Sequence, residues 1–316
     1  MQASQKIVVT GAGGFIGRAL LQSMANTPLD VHALQRRLDE GMSHAITQHI
    51  VPDLQSANSD DLAATMIGAD CLIHLAAVVP GKGANAASNA TVEIARNVAK
   101  AAADAKVKRV IVLSSVYAEL AERGNPNARR YGHDKLAADR IFVSYLPQSK
   151  IILLRPPVVY GSGMRGSLLT LAKMISKGIW LPLGLARNER SYISITNLVH
   201  LLLYLVGLNA AHWQTVNGYA YVPTDGHPVS TVDLIGVIAD SIEMPPRTFP
   251  IPLPILRLLG NITGKGEVIG GAIDPLPYND NDKLLIDIGW APIESFPASH
   301  ISWTRERLVT STNAKI

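Results

Sequence analysis

The sequence predicts an α/β fold in which a doubly wound parallel sheet is followed by a smaller C-terminal α+β lobe. Five short runs rich in β-branched and other apolar residues alternate with alanine-rich helical patterns in the first half of the 316-residue chain. After Pro156, proline, glycine and short strand patterns dominate. Hydrophobic residues make up 47% of the chain and charged residues 17%, which is enough apolar material for a large buried core.

The five apolar runs predict the strands of the sheet, which are Ile7–Thr10, Val31–Leu34, Cys71–His74, Val110–Leu113 and Ile151–Leu154. Between the third and fourth runs, apolar residues recur at helical spacing from Thr91 to Ala105, which predicts a crossover helix. We expect residues 1–160 to form a cofactor-binding domain, to which 191–208 return. Residues 161–316 are expected to form mainly a substrate-binding lobe.

Composition and charge exclude several classes of protein. The formal net charge is +4 and no run of five basic residues occurs, so a nucleic-acid partner is not expected. The single cysteine, Cys71, cannot form an internal disulfide, and no signal-peptide pattern opens the chain, so we expect a cytoplasmic protein. The most apolar stretch, Leu198–Leu208, is shorter than the ~20 residues of a membrane span and predicts a buried helix. No metal is expected.

A glycine-rich turn follows the first strand, where residues 10–17 read Thr-Gly-Ala-Gly-Gly-Phe-Ile-Gly. Gly11 permits a tight turn, Gly14 permits close approach of a pyrophosphate, and Gly17 permits close helix–strand packing. Phe15 and Ile16 open the following helix, whose N–H groups face the phosphates. The motif predicts a Rossmann domain that binds a dinucleotide.

The residues after the second strand bear on the choice of cofactor. NAD enzymes of this fold usually place an acid here, about twenty residues after the glycine turn, to bind the ribose hydroxyls. The sequence instead has Arg36 and Arg37, which can clamp a 2′-phosphate. NADP(H) is therefore favoured over NAD(H), the alternative being that both arginines are solvated surface charges.

Further cofactor contacts are predicted in the next two loops. In the first, Asp53 can accept a hydrogen bond from the adenine amino group while Leu54 covers the ring. The third strand ends in small or apolar residues that leave room for the cofactor at the carboxyl edge of the sheet, namely Leu75, Ala76 and Ala77. His74, inside that strand, is interpreted as a hydrogen-bonded core histidine.

Tyr131 and Lys135 lie one helical turn apart and share a face of the predicted helix that runs to about Tyr145. An ammonium beside a phenol favours the phenolate, whose reference pKa is about 10. We therefore expect Lys135 to bring the pKa of Tyr131 into the range of acid/base catalysis.

The chain resembles the extended short-chain dehydrogenase/reductase family, especially its nucleotide-sugar epimerase, dehydratase and 4-ketoreductase branch. Seven elements carry the resemblance in the right order. They are Thr10–Gly17, Asp70–Ala77, Leu113–Ser115, Tyr131–Lys135, Leu154–Gly161, Arg190–Ile193 and Ile288–Pro292.

The resemblance implies roles for individual residues. Tyr131 is the acid/base, Lys135 also holds the nicotinamide ribose, and Pro157 joins the cofactor site. The family usually has the substrate-binding hydroxyl at the position of Val116, so Ser115, or otherwise Ser114, must serve here.

Arg190 is expected to contact the substrate diphosphate, the alternative being an ordinary surface arginine. The resemblance also implies a homodimer that packs the helices of Thr91–Ala105 and Tyr131–Tyr145 against their symmetry mates. Both helices are rich in alanine, which permits close approach.

The reaction implied is hydride transfer at the sugar C4 of a UDP-sugar. Dehydratases carry an Asp-Glu pair after the catalytic hydroxyl, whereas here Tyr117 and Ala118 precede the first acid, Glu119. This leaves a UDP-N-acetylhexosamine 4-epimerase or a UDP-4-keto-6-deoxy-hexosamine 4-reductase of polysaccharide biosynthesis. The alternatives are an NADPH-dependent ketoreductase of hydroxysteroid or flavonoid type and a non-catalytic NAD(P)-sensing regulator.

Overall fold

The computed structural model of the chain describes residues 4–78, 89–164 and 166–296, without the side chains of 149 and 267. The strands are β1 Lys6–Thr10, β2 Asp30–Gln35, β3 Ile46–Ile50, β4 Cys71–His74, β5 Arg109–Leu113, β6 Ile151–Leu154, β7 Val158–Tyr160, β8 Glu189–Arg190, β9 Tyr192–Ser194, β10 Ala220–Tyr221 and β11 Val229–Ser230. The helices are α1 Phe15–Met24, α2 Ser59–Met66, α3 Ala90–Asp104, α4 Val116–Glu122, α5 Arg129–Tyr145, α6 Ser167–Ser176, α7 Ile195–Val206, α8 Ala210–Val216, α9 Thr231–Ser241, α10 Leu253–Ile262, α11 Gly266–Ile273 and α12 Asn281–Ile288.

The central sheet has seven strands within the described ranges, in the order β10-β6-β5-β4-β1-β2-β3, and every neighbouring pair is parallel. The strand order reverses between β1 and β4, which is the switch point of a doubly wound sheet. The predicted Rossmann fold is therefore confirmed, and the five predicted strands are its five central ones. The two edge strands, β3 and β10, were not predicted.

The core of the sheet follows from the composition of its strands. All the residues of β4 and β6 are buried, as expected for parallel strands covered by helices on both faces. On α3, Ala95, Val98, Ala99 and Ala102 are fully buried and belong to the cluster that covers one face of the sheet. Full burial of a valine, leucine or isoleucine side chain stabilises the fold by about 1.5–3 kcal/mol.

The first of two compact units comprises the described residues of Met1–Pro156, Val199–Val222 and Lys283–Trp290. The last of these segments is held to α7 by two hydrogen bonds. Tyr204 donates its hydroxyl to the carbonyl of Ile288 at 2.7 Å, and Trp290 Nε1 donates to His200 Nδ1 at 3.1 Å. The central sheet and the segments Val199–Val222 and Lys283–Trp290 therefore belong to the same compact unit.

The second unit comprises the described residues of Pro157–Leu198, Pro223–Asp282 and Ala291–Ile316. It contains the parallel pair β7–β9 and the antiparallel pair β8–β11. Its centre is the buried Asp225, which accepts hydrogen bonds from the Tyr160 hydroxyl at 2.5 Å and Asn197 Nδ2 at 2.6 Å. Among the described helices of the chain, none is long and apolar enough to cross a membrane.

Candidate active site

The glycine turn after β1 leaves no room for side chains at two of its positions. Gly11 has φ +73°, and a Cβ there would lie 2.6 Å from the backbone nitrogen of Ala76. A Cβ on Gly17 would collide with the carbonyl oxygen of Gly11. Both glycines are therefore required by the close approach of β1, β4 and α1.

The N-terminus of α1 offers a backbone cradle. Gly14 is the N-cap, has an extended conformation, and has no side-chain cap. Gly13 and Gly14 are exposed, and a Cβ on Gly13 would meet nothing within 4 Å. Uncapped N–H groups at the start of a helix, next to an open glycine surface, fit the pyrophosphate of a dinucleotide. Phe15 and Ile16, half-buried, begin the helix.

Arg36 and Arg37 directly follow β2, and both are exposed. Arg36 is close enough to Asp53 to lower the pKa of that carboxyl. The larger causes are hydrogen bonds from the backbone of Gln55 and the hydroxyl of Ser56, at 3.0 and 2.8 Å. Arg36 thus lies within electrostatic range of the Asp53 carboxylate. Their contacts to a cofactor stay predictions.

The side chain of Leu54 packs against the apolar cluster beneath the sheet. Leu75 continues β4, and its N–H donates to the carbonyl of Thr10 at 3.1 Å. Ala76 lies against the glycine turn, and Ala77 next to it is half-buried. Apart from Leu54, these residues line the carboxyl ends of β1 and β4, where the sheet reverses.

His74 belongs to the core, as its position in the strand indicated. Its Nδ1 shares a hydrogen bond with Thr10 Oγ1 at 2.8 Å, and its ring packs against Phe142. Burial, together with the smaller effect of the nearby Lys135, lowers the pKa of His74 to about 3. His74 is therefore a neutral imidazole that ties β4 to β1.

The structure brings Tyr131 and Ser115 together. Ser115 caps α4 by accepting a hydrogen bond from Tyr117 N at 3.3 Å, and its side chain shares a hydrogen bond with Tyr131. The rings of Tyr117 and Tyr131 pack edge to face with centroids 6.2 Å apart. A Cβ on Gly132 would collide with the carbonyl oxygen of Tyr117, so the glycine permits the close crossing of α4 and α5.

The acidity expected for Tyr131 is corrected by the structure. Burial raises the pKa of the Tyr131 phenol, and the hydrogen bond from Ser115 opposes that rise only in part. Lys135 is not among the groups that lower the pKa of the phenol, and its Nζ donates to the carbonyl of Leu113 at 2.8 Å. In this state Tyr131 is a protonated phenol, suited to act as an acid.

Lys135 is buried, with 6% of its surface exposed. Burial lowers the pKa of Lys135, the carboxylate of Asp139 opposes this in part, and the resulting pKa is about 8. The ammonium form is thus retained at neutral pH, and an opposite charge lies one turn away on the same helix.

An ionic network around the buried side chains of Asp139 and Arg155 was not predicted from the sequence. Asp139 Oδ2 accepts from Ser114 Oγ at 2.9 Å and from Arg155 Nε at 3.1 Å. Arg155 Nη1 donates to Glu119 at 2.6 Å and to Glu122 at 2.5 Å. The spacing of Asp139, four residues after Lys135, is the only sequence signal for it. The network ties α4, α5 and the end of β6 together.

Two predicted site residues belong to the second unit. Pro157 is buried and begins it. Arg190 is 4% exposed, so it is not an ordinary surface arginine, and its Nη1 donates to the carbonyl of Asp274 at 2.5 Å. Nearby in sequence, Ser191 Oγ and Asn188 Oδ1 are buried with no partner among the described residues. Within the same ranges, no cluster of three or more His, Cys, Asp or Glu could hold a metal ion.

The comparisons with known proteins agree with this architecture. Residues 7–217 match the model of the NAD dependent epimerase/dehydratase family. The chain is 27% identical to a UDP-glucose 4-epimerase of Vibrio cholerae, over 91% of each chain. It is 26% identical to an N-acetyl-alpha-D-glucosaminyl-diphospho-ditrans,octacis-undecaprenol 4-epimerase of Escherichia coli O157:H7, over 83% of this chain and 82% of that one.

A solved structure with the same fold is the Bordetella bronchiseptica enzyme WbmG in complex with NAD. Its TM-score is 0.72 at 17% identity, covering 98% of this chain and 95% of that chain. With the glycine cradle and the match over two thirds of the sequence, the chain belongs to the NAD dependent epimerase/dehydratase family, enzymes of the extended short-chain dehydrogenase/reductase type.

Proposed function

We propose that the protein transfers hydride at the sugar C4 of a UDP-sugar, as a UDP-N-acetylhexosamine 4-epimerase or a UDP-4-keto-6-deoxy-hexosamine 4-reductase. The observation that carries the proposal is the hydrogen-bonded pair of Ser115 and Tyr131, with the buried Lys135 one turn along the same helix. Two relatives, both sugar 4-epimerases, support the choice of reaction.

In this proposal the residues of the chain bind the substrate and move one proton. Ser115 donates a hydrogen bond to the reacting oxygen, and Tyr131 gives its phenolic proton to that oxygen or removes it in the reverse direction. Lys135 binds the nicotinamide ribose and keeps a positive charge near the phenolate once it forms. The bound nicotinamide supplies or accepts the hydride.

The cradle of Gly11, Gly14 and Gly17 would hold the cofactor pyrophosphate, with Leu75 to Ala77 beside it. Asp53 and Leu54 would contact the adenine. We further propose that Arg36 and Arg37 bind a 2′-phosphate, because both are exposed at the end of β2 and β2 itself ends in Gln35 rather than in an acid. NADP(H) is therefore the proposed cofactor.

Dehydration of the sugar is disfavoured by the state of Glu119. Burial would raise the pKa of Glu119, but hydrogen bonds from Arg123 and Arg155 hold it below its ordinary value. Both carboxylate oxygens accept from an arginine, at 2.7 and 2.6 Å. A carboxylate held in this way is a weaker base for the elimination of water.

Arg190 is the proposed contact to the substrate diphosphate. Its side chain is buried. Ser191 and Asn188, close to it in sequence, have buried side-chain oxygens without a partner among the described residues, and such atoms call for an explanation such as a bound ligand. The second unit would thus carry the substrate-binding role expected for it.

The direct test incubates the purified chain with a panel of UDP-sugars and NADPH or NADH and analyses the products by mass spectrometry. C4 epimers or reduced 4-keto sugars are expected. Ser115→Ala should abolish most turnover, whereas Ser114→Ala should act mainly on stability, since its hydroxyl binds Asp139. Conversion of hydrophobic ketones without binding of any UDP-sugar would replace this proposal with the ketoreductase alternative.

A further inference from the structure

The second unit carries an exposed apolar surface that the proposed reaction does not use. It is formed by Trp180, Phe249, Ile255, Leu258, Leu259 and Ile262, which we call the apolar face. Trp180 is 60% exposed, Leu258 59% and Ile262 73%. Single exposed apolar residues are ordinary, but a contiguous group of this size usually marks an interaction site.

The residues of the apolar face lie on segments that are bonded to each other. Leu181 N donates to the carbonyl of Arg247 at 2.9 Å, Phe249 N to that of Leu181 at 3.0 Å, and Gly184 N to that of Phe249 at 3.1 Å. These bonds place Trp180 and Phe249 on neighbouring strands of chain. The buried cluster of Ala186, Leu256 and Ile273 then fixes α10 against the first segment.

Helix α10 is apolar on both of its sides. Leu256 and Gly260 are buried against the rest of the unit. Ile255, Leu258, Leu259 and Ile262 recur at the spacing of one helical face and are all exposed. A helix whose outer face is apolar normally has that face covered by a partner or by lipid.

The charges on the two segments that carry the apolar face have a single sign. Residues 173–187 and 247–265 contain no aspartate or glutamate. They contain six basic residues, all exposed, namely Lys173, Lys177, Arg187, Arg247, Arg257 and Lys265. Only Arg257 among them has an acidic partner within the described residues, Asp274 at 2.8 Å.

The exposed apolar side chains and the basic residues together indicate which kind of partner binds the apolar face. In a two-fold interface a second copy would set its own basic residues against those of the first, and like charges repel. A bilayer surface that contains anionic lipids accepts apolar side chains, a tryptophan at the headgroup level and several cations at once. We propose that the apolar face docks the protein on an anionic membrane surface.

Flotation of the full chain with lipid vesicles tests the proposal. Vesicles of phosphatidylglycerol and phosphatidylcholine should bind at least ten times more protein than vesicles of phosphatidylcholine alone, and high salt should reduce binding because it screens charge. The double variant Leu258→Ser/Ile262→Ser and the double variant Lys177→Glu/Lys265→Glu should each lose most of this binding. Trp180 fluorescence should shift to shorter wavelength on anionic vesicles, and Trp180→Phe should lose that shift.

Ile286→Ser is the matched control, since Ile286 is 82% exposed on α12 of the first unit. It should bind vesicles as the unaltered chain does. Thermal unfolding and cofactor binding should be equal in all variants, so that lost docking is distinguished from lost folding. The proposal is overturned if anionic vesicles gain nothing over neutral ones, if Ile286→Ser weakens binding as much as Leu258→Ser/Ile262→Ser, or if the latter dissociates a dimer in sedimentation.

Discussion

Tyr131 is half-buried, hydrogen-bonded to Ser115, and more weakly acidic than a free tyrosine. A phenol with a raised pKa stays protonated until negative charge develops on the substrate oxygen, which then takes the proton. Before the reaction Tyr131 is therefore a protonated acid and not a phenolate.

Tyr131→Phe removes the proton donor and leaves the glycine cradle intact. Turnover should fall by roughly 10²- to 10⁴-fold, the range for loss of general acid/base catalysis, with cofactor affinity unchanged. Tyr145→Phe, at the far end of the same helix, is the control and should keep full activity. Initial rates and fluorescence titration of the cofactor measure both quantities. Full activity of Tyr131→Phe would show the mechanism to be wrong.

Arg36 offers a second test at the scale of one residue. Because it is exposed after a strand that ends without an acid, we expect tighter binding of NADPH than of NADH, and Arg36→Ala should erase the difference. Titration with both cofactors measures it, and Arg140→Ala, an exposed arginine on α5, serves as control. Equal affinities in the unaltered chain would contradict the assignment.

At the scale of elements, Arg155 ties three elements through the buried Asp139, the partly buried Glu119 and the exposed Glu122. Arg155→Ala should lower the free energy of unfolding by about 3–5 kcal/mol, the cost of leaving a buried charge unpaired. Arg123→Ala removes the other arginine on Glu119, but Arg123 is exposed, and the loss should stay below about 1 kcal/mol. Urea unfolding of both variants measures this, and equal losses would show that burial does not decide the contribution.

The pairing of β1 with β4 carries a pH dependence through His74. Its pKa is about 3 in the folded chain and 6.5 for a free histidine, so the unfolded chain takes up the proton first as pH falls. Stability should thus be lost below pH 6.5, with a slope approaching about 1.4 kcal/mol per pH unit. His74→Gln should remove this contribution between pH 7 and 5, and the exposed His212→Gln should not. The prediction would be disproved if the free energy of unfolding depended on pH in the same way in His74→Gln and in the unaltered chain.

The elements also show what a sequence can and cannot predict. The five central strands are mainly apolar, whereas β3, Ile-Thr-Gln-His-Ile, has three polar residues in five and β10 has only two residues, so neither edge strand was predicted. Tyr131 and Lys135 are local in sequence and were found by spacing. The contact of Asp139 with Arg155 joins a helix to a strand end, and the raised pKa of Tyr131 depends on burial, so both required the structure.

At the scale of the whole molecule, assembly stays a prediction. The alanines of α3 that suggested close packing between subunits are buried within the chain itself. Val143 and Tyr145 of α5 are exposed and remain available. If the expected dimer uses α5, sedimentation should show a dimer at micromolar concentration and Val143→Glu a monomer, with Ile286→Glu as control. A monomeric unaltered chain would refute the prediction.

The crossing at Gly132 has a consequence for how the site tolerates change. The carbonyl of Tyr117 lies where a side chain of residue 132 would stand, so two main chains touch directly beside Tyr131. Main chains have no rotamers through which such a contact could relax. The separation of the Ser115 and Tyr131 hydroxyls is consequently set by backbone packing. Substitutions of the surrounding side chains should therefore leave this separation unchanged.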